Sequence, residues 1–144
     1  MTTSRTRWLR GIYAVAVLCT IAAGLLWRRP ELGLPPLAAK FGGSILWGSM
    51  VFFAVAALLP SARPVLVATL AAVIAANVEF SQAVHIEWLD AVRRHAFGQL
   101  LLGSTFTWWD IVAYWMGIAL ALATATAVRR ALTTRSNRSA SNSR

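Results

Sequence analysis

A chain of 144 residues that is 58% hydrophobic and only 13% charged carries more apolar side chain than a soluble core of that size can hide. Its formal charge of +9 would raise the question of nucleic acid in a soluble protein. Here most of the excess flanks apolar stretches on one side, where anionic headgroups attract basic residues at about 1 kcal/mol each, so membrane lipid is the expected partner and nucleic acid is not.

Four stretches reach the length needed to cross a hydrocarbon core, which takes about 20 helical residues with a range of roughly 17 to 25. They run over residues 11–27, 42–59, 64–84 and 108–128. The expected fold is all-α, an integral membrane bundle of four transmembrane helices in one domain, 1–132. A basic tail over 133–144 has no apolar residues to bury and is expected to be disordered.

In the first span, Arg5, Arg7 and Arg10 precede the apolar centre and Arg28 and Arg29 follow it. A secretory signal peptide shares this layout, but Ala22-Ala23-Gly24 is a poor cleavage site, and a retained span is the preferred reading. Cys19 follows Leu18, a bad fit to lipoprotein processing, and is expected to be a buried thiol. A lone cysteine makes no internal disulfide. Pro30, Pro35 and Pro36 predict an extended loop through most of Arg28 to Lys40. Pro60 to Pro64 predicts a tight turn, with Pro64 in the first turn of span three. Trp27, Trp47, Trp108 and Trp109 fall near predicted span ends, where an indole anchors at the interface.

Topology follows from Lys and Arg in the short connections. One side holds Arg5, Arg7, Arg10, Arg63, Arg129, Arg130, Arg135, Arg138 and Arg144; the other holds Arg28, Arg29, Lys40, Arg93 and Arg94. Nine against five predicts both termini in the cytoplasm. The connection between spans three and four then faces outward. In it Ile86, Leu89, Val92, Ala96, Phe97 and Leu100 recur at helical spacing, which predicts an amphipathic helix in the outer interface, broken by Gly98 and Gly103.

Polar residues at the edges of spans three and four mark the candidate site. Glu79, with Gln82 one turn on, ends span three, and Asp110 opens span four. Such residues at a span boundary need a partner. Ala68, Ala72, Ala75 and Glu79 share one helical face, as do Asp110, Tyr114, Gly117, Ala121 and Ala125, and small residues at these spacings allow close approach in lipid. If the two faces meet, Glu79 and Asp110 converge and repel unless one is neutral or a cation intervenes. Arg93 is the natural candidate, with Asp90 able to pair with Arg93 or Arg94. The competing view of Asp110 is local: Thr107-Trp108-Trp109-Asp110 has the pattern of a helix start, with Thr107 as cap. Glu79 resists such a reading, because an acid near a helix C-terminus opposes the dipole.

Other chemistries find little support. His85, Glu87, Asp90 and His95 lack paired-histidine spacing, so no metal is expected. Ser81 has no recognisable base, no phosphate-binding glycine loop is present, and no cofactor is expected.

Glu79-Phe80-Ser81-Gln82, Trp88-Leu89-Asp90-Ala91-Val92-Arg93, the run Gly98 to Phe106, and Asp110-Ile111-Val112-Ala113-Tyr114 with Gly117 occur in fixed order and spacing. With Gly43-Ser44-Ile45-Leu46-Trp47, this pattern resembles a family of small bacterial membrane proteins known as domain of unknown function 2809. A more distant similarity is to VanZ-like membrane proteins, which also carry an acid and a glutamine ending one span, an arginine in the next loop and an aspartate opening the last. That family is associated with altered sensitivity to glycopeptide antibiotics, and neither resemblance implies a reaction.

The expected site therefore comprises Glu79, Gln82, Asp90, Arg93, Arg94, Asp110 and Tyr114, without a catalytic assignment. Its leading function is non-enzymatic and envelope-associated: binding an anionic lipid headgroup or a lipid-linked phosphate through Arg93 and Arg94. The alternatives are a small integral enzyme acting on such a lipid, with Glu79 or Asp110 as acid or base, and a purely structural membrane partner.

Overall fold

The computed structural model describes residues 3–84, 87–95 and 107–141. In chain order these form α1 (Thr3–Trp27), a 3-10 turn (Pro30–Leu32), α2 (Pro36–Leu58), α3 (Pro64–Gln82), α4 (Glu87–Arg94) and α5 (Trp108–Ser141). Four segments are long and apolar enough to span a membrane: Ser4–Trp27, Pro36–Leu58, Pro64–Gln82 and Trp108–Leu132. The chain is an all-α, multi-pass membrane protein.

Three boundaries depart from the expected ones. Helix α1 begins at Thr3, so Arg5, Arg7 and Arg10 ride on the helix and do not precede it. Helix α2 begins at Pro36, six residues before Gly42, which corrects the extended loop through Lys40. Pro36 sits in the first turn, where a missing N–H removes no helix bond. Only the stretch before it is irregular: Pro30–Leu32 makes one 3-10 turn, closed by Gly33 in the left-handed region at φ 58°, whose N–H donates to Pro30 O at 3.0 Å. Lys40 is thereby helical and shares a face with Ser44. At the other end, α5 runs 34 residues, about 51 Å at 1.5 Å per residue against a hydrocarbon core of about 30 Å. The tail expected to be disordered is helical through Ser141, its alanine and arginines being compatible with continued helix.

Helix α2 is the centre of the bundle, packed against α1, α3 and α5, and α3 also packs on α5. The core is made by Phe52, Val55 and Ala56 of α2, Val67, Ala71 and Ala75 of α3, and Tyr114, Ile118, Ala121 and Ala125 of α5, with Leu9 and Tyr13 from α1. The α5 face is the expected one. The buried α3 face is Val67, Ala71, Ala75, Glu79 and Gln82, with Ala68 and Ala72 only partly buried, a rotation from the expected stripe. Alanine on neighbouring positions leaves that rotation invisible in composition.

The tightest helix crossing is α2 with α5. A methyl at Gly48 would collide with the backbone of Tyr114, and one at Gly117 with the carbonyl of Ile45. Ser49 Oγ donates to Gly117 O at 2.9 Å across this contact. Trp47 is therefore not an interfacial anchor: it lies well inside α2, its ring tilted against Tyr114 with centroids 4.7 Å apart. Trp27 does lie at a span end, and its indole N–H donates to Ala38 O at 3.0 Å with the ring over Gly42. Trp108 and Trp109, both 66% exposed, open α5 as expected of anchors. Cys19 is exposed on α1, not buried, since α1 packs along one side only and a thiol is apolar enough to face lipid.

At the end where α2 turns into α3, Arg129 of α5 closes the bundle. Its guanidinium donates to Tyr13 Oη at 2.9 Å, Ala62 O at 2.8 Å and Pro60 O at 3.0 Å. Arg10 Nε reaches Ala57 O at 3.2 Å nearby. Carbonyls left over where α2 ends are thus met by arginines from α1 and α5.

Candidate functional site

The opposite end of the bundle holds the acids. Glu79 is fully buried, Gln82 is 4% exposed and Asp110 5% exposed. Three donors converge on the Glu79 carboxyl group: Thr107 N–H reaches Oε1 at 2.8 Å, while Gln82 Nε2 and Tyr114 Oη both reach Oε2 at 2.9 Å. Gln82 lies one turn along the same helix and Tyr114 comes from the facing helix, so side chains of α3 and α5 share one acceptor.

Thr107 immediately precedes α5, at the cap position, and Asp110 lies three residues on. In a capping box the acid at that position would accept the N–H of the cap residue. Here the Thr107 N–H goes to Glu79, on a different helix. Glu79 opposes the dipole of its own helix but sits against the N-terminus of α5, where an acid is favoured. The position that local reasoning made unfavourable is stabilised from across the bundle.

Asp110, relieved of that bond, turns to α2. Its Oδ1 accepts from Ser44 Oγ at 3.0 Å and its Oδ2 pairs with Lys40 Nζ at 3.2 Å. Ser44 Oγ also lies 3.2 Å from Lys40 O, and its one proton serves one acceptor at a time. Lys40 Nζ makes a second bond, to Thr107 Oγ1 at 3.1 Å. Thr107 therefore joins the two acids: its hydroxyl accepts from the cation of Asp110 and its amide serves Glu79. The Lys40 side chain is 44% exposed, so the network opens to the surface at that residue.

Of the expected site residues, the structure brings Glu79, Gln82 and Tyr114 into direct contact and joins Asp110 to them through Thr107 and Lys40. The cation beside Asp110 is Lys40, where sequence reasoning nominated Arg93. The side chain of Arg93 lies outside the described residues. Asp90, half-buried, and Arg94, exposed, lie on α4. Gly98 and Gly103, and the apolar positions Ile86, Ala96, Phe97 and Leu100, also fall outside the described residues, so α4 is described over Glu87–Arg94 alone.

Sequence reasoning missed Lys40, Ser44 and the Thr107 amide. Lys40 and Ser44 stand four apart, a signal that becomes readable once Pro36 is taken as the start of a helix. Nothing in sequence marks a backbone amide as the partner of a distant acid.

The arrangement can fasten α2, α3 and α5 at one membrane boundary. No solved structure matches the chain. Residues 33–118 match the sequence model of the family described as "Protein of unknown function (DUF2809)", a stretch that contains Lys40, Ser44, Glu79, Gln82, Asp110 and Tyr114 and covers more than half of the chain, which therefore belongs to that family.

Proposed function

We propose that this membrane protein binds an anionic lipid headgroup or lipid-linked phosphate in an envelope-associated role, with Arg93 and Arg94 of α4 as the contacting cations. The observation that supports this reading is the internal satisfaction of the acids. Among the described residues, Glu79 takes donors from Thr107, Gln82 and Tyr114, and Asp110 from Ser44 and Lys40, so both acids already have partners within the bundle. Guanidinium groups are suited to phosphate because their planar donors match its oxygens. The nine-to-five distribution of Lys and Arg supports cytoplasmic termini, with α4 facing outward in a bacterial inner membrane.

The test is native mass spectrometry of the full chain with added polyprenyl phosphate. Wild type retains the lipid, and Arg93→Ala with Arg94→Ala loses it while melting at the same temperature. Equal retention would contradict the proposal.

A second reading, that the network serves only to hold the bundle, is favoured by the complete burial of Glu79 with both carboxyl oxygens engaged. The enzyme alternative makes a separate demand, since a strain lacking the protein would accumulate a lipid substrate visible by lipidomics.

A further inference from the structure

A groove runs between α1 and α2, with Trp47, the ring that packs on Tyr114, in its lining. Ile21 and Gly24 of α1, Arg28 just past its end, and Gly43, Leu46 and Met50 of α2 line it. Arg28 lies at the mouth, its guanidinium directly over Gly43, where an added methyl would approach Nε to 3.1 Å. From there Gly43, Leu46 and Met50 descend one face of α2, about 10 Å at 1.5 Å per residue. The other wall descends from Arg28 through Gly24 and Ile21 to Thr20, a similar depth. Thr20 adds no unmet polar group, since its hydroxyl is engaged with the carbonyls of Ala16 and Val17 at 3.0 and 2.8 Å. At Gly24 a side chain would meet nothing within 4 Å, so the groove is open there.

We infer that this groove holds an anionic lipid, with its phosphate against Arg28 at the membrane boundary and an acyl chain along the apolar walls. The occupant follows from complementarity. A guanidinium at the mouth calls for an anion, and an apolar channel descending from it into the spanning region calls for hydrocarbon. A phospholipid carries both in that order. Arg29, next in sequence, adds to the positive field at the same boundary. The groove lining shares no residue with the acid network.

Native mass spectrometry of the full chain, from micelles doped equally with phosphatidylglycerol and phosphatidylcholine, tests it. Wild type retains phosphatidylglycerol in preference. Arg28→Gln lowers that preference about fivefold, the factor expected for one basic residue at the surface. Gly24→Leu, whose Cβ has room at that position, narrows the groove and lowers retention of both lipids, and leucine at a helical glycine does not weaken helix propensity. Excess glycerol phosphate leaves the bound lipid in place, because the chain contributes to binding. Displacement by glycerol phosphate would mean a site for free phosphate and overturn the acyl assignment. Retention unchanged in both variants, or lost only with Arg93→Ala and Arg94→Ala, would overturn the groove.

Discussion

The two ends of this bundle bury charge of opposite sign and satisfy it by different means. At the end where α2 turns into α3, the Arg129 guanidinium is met largely by backbone, the carbonyls of Pro60 and Ala62, with the Tyr13 hydroxyl beside them. At the opposite end Glu79 and Asp110 are met largely by side chains, Tyr114, Gln82, Ser44 and Lys40, with the Thr107 amide as a backbone donor among the described residues. The asymmetry follows from helix chemistry. The turn after α2 presents the Pro60 and Ala62 carbonyls to a single guanidinium, whereas at the helix starts of the acid end the Thr107 N–H goes to Glu79 and Pro36 of α2 has no N–H to give. Acids at that end must therefore recruit side chains from several helices. The acid end consequently depends on the relative placement of α2, α3 and α5, and the basic end on that of α1, α5 and the turn after α2.

That contrast ranks the effects of substitution. Glu79→Ala should be the most damaging, by at least about 3 kcal/mol, because three buried donors lose their acceptor at about 1–3 kcal/mol each. Equilibrium unfolding in detergent measures it, and a loss below 1 kcal/mol would mean the donors find water. Gly117→Ala should follow, at about 1–3 kcal/mol, since its methyl meets the Ile45 carbonyl and pushes α5 from α2. Arg129→Ala should cost about 1–2 kcal/mol, because its bonds to the turn carbonyls are partly buried and water can replace them. Lys40→Met should be mildest, about 0.5–1 kcal/mol, as the side chain is 44% exposed and water can replace it beside Asp110. An Arg129→Ala loss exceeding that of Glu79→Ala would reverse the proposed order of the two ends.

Much of this architecture is readable in the residues. The α5 stripe of Asp110, Tyr114, Gly117, Ala121 and Ala125 is buried as its spacing predicts, because it alternates with large residues such as Trp115 and Met116 that face outward. The α3 stripe is misjudged in rotation, since both faces carry small apolar side chains, Val67 and Ala71 on one and Ala68 and Ala72 on the other, and only the neighbouring helices decide between them. The start of α2 is hidden by prolines that read as breakers, although Pro36 is a permitted first-turn residue. That one boundary conceals Lys40 and Ser44, and with them the partners of Asp110. The engagement of the Thr107 amide by Glu79 is a tertiary event with no local signature, and it overrides the capping pattern written in Thr107 to Asp110.

The central claim is that Glu79 joins α3 to α5 through Tyr114 and Thr107, separately from the Arg129 end. Double-mutant cycles on unfolding stability test it most directly, pairing Glu79→Gln with Tyr114→Phe and, as the distant control, Glu79→Gln with Arg129→Ala. The first pair should couple by about 1 kcal/mol or more, and the second should add within about 0.5 kcal/mol. Additivity between Glu79 and Tyr114, or coupling across the two ends as large as that within one, would contradict it.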